Sequence, residues 1–249
     1  MSDLVDNDKS KRDDNWAEPI DTLKVLGVPN EAINLNVEGR RLTGPLRGFG
    51  QLWQKTYTVP LLGLAIQPAA VIKVWKENFP HFWPKGNQFY APLASIAPGE
   101  VALLNLAAPG AMQLSTGIMV IYADDVSFSF MTPRGHMFAG MITFSAQEEG
   151  DSTVAQIQAL IRAGDPLYES GCRLGIVHRI EDLFWHGTLL NLAQSFGVKG
   201  VVQQTTICID PRMQWSEVRN VWHNAAIRTG LHMPIRLLRR FWGRATPPA

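Results

Sequence analysis

The stretch FSFMTPRGHMFAGMITFSAQ, residues 128–147, sets Pro, Arg, Gly and His between two runs in which bulky apolar residues alternate with smaller or polar ones. Alternation at period two is the mark of a strand with one buried face, and a short break containing Pro and Gly between two such runs marks a hairpin. Val126, Phe128 and Phe130 on the first run, and Phe138, Ile142 and Phe144 on the second, then point to one side. At the tip, Pro133 and Gly135 suit the second and fourth positions of a type I turn with Arg134 between them. Two readings stay open there. The tip is a plain solvated turn, or it holds a fixed cation, Arg134, and a titratable group, His136, at the rim of a sheet.

The same period runs through the neighbouring sequence. Residues 88–93, 100–107, 114–122, 126–132, 138–146 and 153–162 form six strand-length segments, separated by APGE, APGA, ADD, PRGH and QEEGDS. Breaks this short favour consecutive antiparallel pairing, so the region reads as a meander. Before it, residues 51–59 alternate with Trp53, Tyr57 and Val59 on one face. Pro68 then opens a helix that carries Val71, Val74, Trp75 and Phe79 at helical spacing and cannot continue past Pro80 and Pro84. After the meander, Asp165 and Pro166 are a cap residue and a first-turn residue. A long helix follows, strongest over 177–196, with Trp185, Leu189, Leu192 and Phe196 on one stripe and Gly197 placed to stop it.

The remaining segments are appendages. Residues 1–15 are polar and charged and read as a disordered tail. Residues 16–48 read as an N-terminal strap on the domain, with a helical turn near 20–26 and breaks at Gly27, Pro29, Gly39 and Gly44. Residues 49–197 hold the principal domain, and 198–249 add a strand at 201–209, a helix at 215–229 and a short basic helix at 234–242, packed outside it. In that last helix Arg236, Arg239 and Arg240 stand beside Phe241 and Trp242. Such a segment can dock its apolar side on its own domain or make a peripheral membrane contact, and its shortness favours docking.

The order strand, helix, six antiparallel strands, long helix, together with the strand GHMFAGMITF, resembles the START and polyketide-cyclase-like (SRPBCC) superfamily and its uncharacterised bacterial members. The resemblance implies an α+β helix-grip fold, a curved seven-stranded antiparallel sheet around a long C-terminal helix, here with a C-terminal strand and helices added. Known members include lipid and sterol carriers, hormone-binding proteins and aromatic cyclases, so the fold alone does not choose a function.

Composition narrows the function classes. The 249 residues are 46% hydrophobic and 18% charged, enough for one full core, and a formal net charge of +1 gives no signal for nucleic acid. The two cysteines, Cys172 and Cys208, form neither a disulfide framework nor a zinc motif. The charged N-terminal stretch lacks the apolar core of a secretory signal and no run approaches a membrane span, so a cytoplasmic protein is expected. No GxSxG, GxxxxGK, HExxH or strand-following GxGxxG occurs, and no metal or cofactor is expected.

A sheet gripping one helix leaves a gap on its inner side unless bulky side chains fill it. The expected lining is Tyr57, Phe128, Phe130, Ile142, Phe144, Phe184, Trp185 and Leu189, with Arg134, His136, Glu169 and His178 as polar rim candidates. The leading expectation is a binder or carrier of a small hydrophobic or lipid-like ligand, without catalytic residues. One alternative is a cyclase, dehydratase or hydrolase with His136 as acid or base, Arg134 as anion clamp and Glu169 or His178 as helix-side partners. That reading needs two of these side chains in one cavity. The other alternative is a structural or interaction module whose core is closed. Asp182 and His186, four apart on one face of the long helix, either set a carboxylate behind an imidazole for base catalysis or belong to a solvated charged stripe with Arg179, and the stripe is the favoured reading.

Overall fold

The computed structural model describes residues 14–29, 31–63, 66–90, 95–108 and 112–232. Residues 1–13 of the expected tail and the basic segment with Arg236, Arg239 and Arg240 lie outside the described residues.

Eight strands form one antiparallel sheet: β1 (Leu52–Leu61), β2 (Gln88–Tyr90), β3 (Val101–Ala108), β4 (Met112–Ala123), β5 (Ser127–Met131), β6 (Phe138–Glu149), β7 (Ser152–Ala163) and β8 (Gln203–Asp210). Their order is β2-β3-β4-β5-β6-β7-β1-β8. The meander therefore runs from β2 to β7 as its short breaks require, and β1 returns to pair with β7, with Tyr57 opposite Ile157 and Trp53 opposite Ile161. The C-terminal strand is not packed outside the domain. It extends the sheet by pairing with the free edge of β1, where Tyr57 stands opposite Gln204 and Trp53 opposite Cys208.

Two helices cover the inner face. Helix α1 (Pro68–Glu77) starts with Pro68 in its first turn and buries Val71, Ile72 and Trp75. Helix α2 (Pro166–Arg173) is capped by Asp165, whose carboxylate accepts from the amides of Leu167 at 2.8 Å and Tyr168 at 3.1 Å. Gly175, at φ 73°, separates it from the gripping helix α3 (Ile176–Ser195). Left-handed backbone is open to glycine and costly for other residues, so this chain break needs Gly there.

Side chains on the inner face of every strand from β1 to β7 join α1 and α3 in one core. Tyr57, Phe128, Phe144, Trp75 and Leu189 are fully buried in it. A second, smaller cluster lies under α2, where Phe138, Ile161, Tyr168 and Cys172 meet. On the outer face, Leu23 and Val37 from the N-terminal strap cover Leu103 and Met119. The strap holds no helical turn at 20–26, where the backbone is bent and extended. Its donors are spent instead on a loop closed by Leu23 N to Arg40 O (2.7 Å) and Gly39 N to Leu23 O (2.9 Å).

The expected helix over 215–229 is also different. A 3-10 helix, Trp215–His223, stops at Asn224, and residues 225–232 form a separate helix, α4. Asn224 is the pivot, because its side chain donates to Asp165 at 2.8 Å and accepts from the amide of Ile227 at 3.0 Å. It links the cap of α2 to the start of α4. Asn36, 1% exposed, ties the strap to the same helix by donating to Thr229 Oγ1 at 3.1 Å and accepting from Arg228 at 2.9 Å. At the far end of the sheet, buried Arg162 donates to the carbonyls of Gly50 and Arg212 and pairs with Asp210 at 2.7 Å. Neighbouring Arg212 and Arg162 together hold the Asp210 carboxyl well below the usual carboxylate range.

Candidate functional site

The tip of the β5–β6 hairpin is not a solvated turn. The amide of His136 donates to Pro133 O at 3.0 Å, so Pro133 opens the turn and Gly135 occupies its third position, at φ 98°. A positive φ there is the geometry of a type II rather than a type I turn. The turn is packed over by the C-terminal segment. A Cβ on Gly135 would stand 2.0 Å from the carbonyl oxygen of His223, and the Gly135 carbonyl accepts from Ala225 N at 2.9 Å. Arg134 donates to Asn220 Oδ1 at 3.0 Å and its amide to Arg41 O at 2.9 Å. Arg134 thus clasps the strap and the C-terminal segment together. His136 turns the other way.

His136 stands on the wall of a cavity of about 120 Å3 between the sheet and the first half of α3. The cavity sits at the seam between the two core clusters: Leu104, Ile118, Phe130 and Ile142 line it from one side, Phe138 and Ile161 from the other. Gly140 and Ala159 contribute little bulk to its wall. Phe184 and Trp185 close it from α3, and Trp83 from the loop after α1. Ile180, 39% exposed, and Ala107 are the exposed residues of its lining.

Few polar groups touch this space. Thr132 Oγ1 is spent on Phe138 O at 2.8 Å, and Asn87 donates to Pro84 O at 3.0 Å and accepts from Ala107 N at 2.9 Å. His136 Nδ1 lies 3.0 Å from the amide nitrogen of Phe138. The Phe138 carbonyl oxygen lies at the same 3.0 Å, so Nδ1 accepts from the amide in one tautomer and donates to the carbonyl in the other. Burial lowers the His136 pKa to about 4, which keeps the ring neutral at physiological pH.

Glu181 is the one carboxylate on the described wall. Its Oε2 lies 2.8 Å from Nζ of Lys55, itself only 1% exposed, and the same ammonium is 2.7 Å from Asp182 Oδ1. Tyr57 Oη also donates to Asp182 at 2.7 Å. Burial alone would raise the Asp182 carboxyl, but the hydrogen bonds from Lys55 and Tyr57 hold it below its ordinary value. Burial, with Glu181 and Asp182 nearby, pushes the Tyr57 phenol far up. The cluster balances one buried cation against two carboxylates, and it fastens α3 to β1.

Of the residues expected to line a cavity, Phe130, Ile142, Phe184 and Trp185 stand on its wall. Tyr57, Phe128, Phe144 and Leu189 do not; they fill the closed part of the core, each with no exposed surface. For Phe128 and Phe144 the reason is helix α1, whose Trp75 packs edge-on to them at 6.0 and 5.4 Å. Val126, expected to face inward, precedes β5 and is 45% exposed. Of the rim candidates, only His136 touches the cavity. Glu169 is buried beside Gly50 and pairs with Arg173 at 3.0 Å. His178 stacks on Phe138, 6.1 Å between ring centroids, and lies 3.8 Å from Glu181. Asp182 is held by β1, and His186 Nε2 meets Gln204 at 2.9 Å, so the two do not form a solvated stripe.

Lys55 and Trp83 were not singled out from the sequence, and Glu181 stood only within the charged cluster running from Asp165 to His186, with no role of its own. A signal for two of them exists. Lys55 falls between Trp53 and Tyr57 at an inward position of a strand, and Glu181 lies three and four residues before Phe184 and Trp185 on the buried side of α3. A cation and an anion on inward faces of two elements that pack together must meet or be left uncompensated.

Among the described residues, no group of three His, Cys, Asp or Glu side chains is placed to hold a metal ion, and no helix is long and apolar enough to cross a membrane. No protein-family model matches the chain, and no curated protein matches it. Solved structures do overlap it. The di-domain ARO/CYC StfQ from the steffimycin biosynthetic pathway aligns with a TM-score of 0.45 at 9% identity, over 59% of this chain and 53% of its own. Ara h 8.0201 aligns with a TM-score of 0.43 at 10% identity, over 58% of this chain and 97% of its own. A START superfamily protein from Mycobacterium smegmatis aligns with a TM-score of 0.36 at 20% identity, over 57% of this chain and 99% of its own. The chain thus spans about half the length of StfQ. By its own element order and layers, an antiparallel meander closed by β1 and gripping α3, the protein has a helix-grip fold.

Proposed function

We propose that this protein binds a small hydrophobic molecule in the cavity between the sheet and α3. The observation that carries the reading is the cavity itself: about 120 Å3, walled by Leu104, Ile118, Phe130, Ile142, Phe184 and Trp185, with Ile180 and Ala107 the exposed residues of its lining. An apolar cavity of about 150 Å3 is enough to take up benzene. At about 120 Å3 the space is slightly smaller than that, so it suits at most one ring or a short chain, and a longer lipid would leave much of its length outside.

The enzyme alternative has less support. It requires two of His136, Arg134, Glu169 and His178 to converge, and only His136 reaches the cavity. The closed-core alternative is opposed by the open seam. Titration of labelled protein with benzene-sized apolar probes, followed by NMR, tests the proposal. Saturable shifts confined to residues around Phe130, Ile142, Phe184 and Trp185 are expected. Absence of saturable shifts there, with the fold intact, would overturn it.

A further inference from the structure

Independently of what the cavity holds, we infer that the protein pairs with a second copy of itself along the free edge of β8, joining the two sheets into one. β8 ends the strand order, and among the described residues no strand pairs with its outer side. Alternate residues of such an edge strand point their N–H and C=O groups away from its one neighbour, which makes the edge a template for another strand. The opposite edge, β2, is three residues long, whereas β8 has eight, so only β8 offers a ladder of useful length. Edges of that length are commonly blunted by Lys, by Pro or by a bulge. Here residues 200–209, GVVQQTTICI, carry no charge and no Pro, and six of the ten are β-branched, so the strand is suited to pairing and repels nothing. Its irregularity is confined to the far end, where Cys208 pairs with Trp53 and Asp210 with Leu52.

The surfaces above and below this edge are apolar. Ile207 stands opposite Gln54, on the outer face, and is 51% exposed; Ile209 is exposed as well. On the inner side, His186 of α3 meets Gln204 of β8 at 2.9 Å, and helical spacing puts Leu183 and Leu190 on the same stripe as His186. Both leucines are exposed, Leu183 by 63%. A two-fold axis normal to the sheet suits these features. It sets the two β8 strands antiparallel, keeps both inner faces on one side and turns each copy's leucine stripe towards the other's. Such a contact needs a surface that matches itself, and an uncharged strand meets no like charge when it faces its own copy. The eight residues of β8 span about 27 Å, and a sheet with one helix layer is about 20 Å deep. Each copy therefore offers on the order of 540 Å2, or roughly 1,100 Å2 for the pair, at the lower end of specific interfaces.

Sedimentation of the full chain over a range of concentrations tests this. A monomer–dimer equilibrium with a dissociation constant in the micromolar range is expected, as befits an interface of that size. Ile207→Lys sets like charges across the axis and should raise the constant at least about tenfold. Leu183→Lys should act in the same direction while leaving the strand itself untouched. Leu231→Lys, on α4 whose Thr229 meets Ser115 of β4, lies beyond β1, β7, β6 and β5 from this edge and should change the constant by less than about twofold. All three lysines enter at exposed positions, so the dilute proteins should melt alike. Hydrogen exchange gives a second readout: the outward amides of β8 should be protected in concentrated protein and exchange freely on dilution. Protection that persists in dilute monomer would mean that the chain's own residues cover the edge, and would overturn the inference. So would a protein still monomeric at about 100 µM, or a dimer that neither Ile207→Lys nor Leu183→Lys weakens. Uptake of apolar probes by the cavity is a separate measurement, and neither result decides the other.

Discussion

The two ends of the core are built from the same strands and the same gripping helix, yet one is closed and the other open. At the closed end, Phe79 meets Phe89, Phe128, Phe130 and Phe144 edge-on, with centroids 5.1, 5.6, 5.3 and 5.1 Å away. Helix α1 and the 3-10 turn Phe79–Phe82 supply this plug. At the open end neither reaches, and the wall there includes Gly140 and Ala159 in place of further rings. The comparison teaches that the cavity follows from where the second inner helix stops. A gripped helix alone does not create it.

The largest effects should come from breaking the closed end and its ionic fastening. Phe79→Ala removes a fully buried ring with five aromatic neighbours, Trp83 among them, and urea melts should show a loss of about 3–5 kcal/mol. A loss under about 1 kcal/mol would mean this end is not close-packed. Lys55→Met leaves Glu181 buried without its cation and should cost a similar 3–5 kcal/mol.

A smaller effect belongs to acid. The folded His136 pKa lies near 4, below its ordinary 6.5, so between these values the unfolded chain binds a proton that the folded chain refuses. Stability should therefore be unaffected by this group above pH 6.5 and fall as pH drops towards 4, by about 2–3 kcal/mol in all. His136→Asn should flatten that window in melts taken across pH. The depressed Asp182 carboxyl acts lower: its contribution is present above the ordinary carboxylate pKa and disappears as pH falls through the folded value. An unchanged slope in His136→Asn would place His136 in water rather than on the cavity wall.

At the open end, the same kind of truncation should matter less. Phe184 is only partly buried, so Phe184→Ala should cost about 1–2 kcal/mol, well under the value for Phe79→Ala. The smallest change in stability is expected for Ala159→Val. Its methyl groups enter free space, so the melting free energy should move by less than about 1 kcal/mol, while affinity for a benzene-sized probe drops by roughly tenfold. If Ala159→Val destabilised as strongly as Phe79→Ala, the seam would be as tightly packed as the plug and the contrast would vanish.

The sequence by itself determined the strands. Period-two alternation and short breaks between residues 88 and 162 are local signals, and the meander β2 to β7 follows them. Asp165 with Pro166, and Gly197 at φ 74°, set helix ends through the backbone chemistry of caps. That the aromatic residues of β5 and β6 share an inner face was legible for the same reason.

Which of them border empty space was not, because that depends on what comes to lie over each one. Phe128 and Phe130 are two residues apart on one strand, yet Phe128 is walled in beside Trp75 and Phe130 lines the cavity. Period two gives a side chain's direction; only the placement of α1 gives its neighbour. The PRGH tip makes the same point. Its turn residues were plain, but the tertiary structure laid residues 220–225 across it, turned Arg134 into a clasp and aimed His136 inward. Contacts between residues almost ninety positions apart are decided by packing of the whole chain, and no local pattern encodes them.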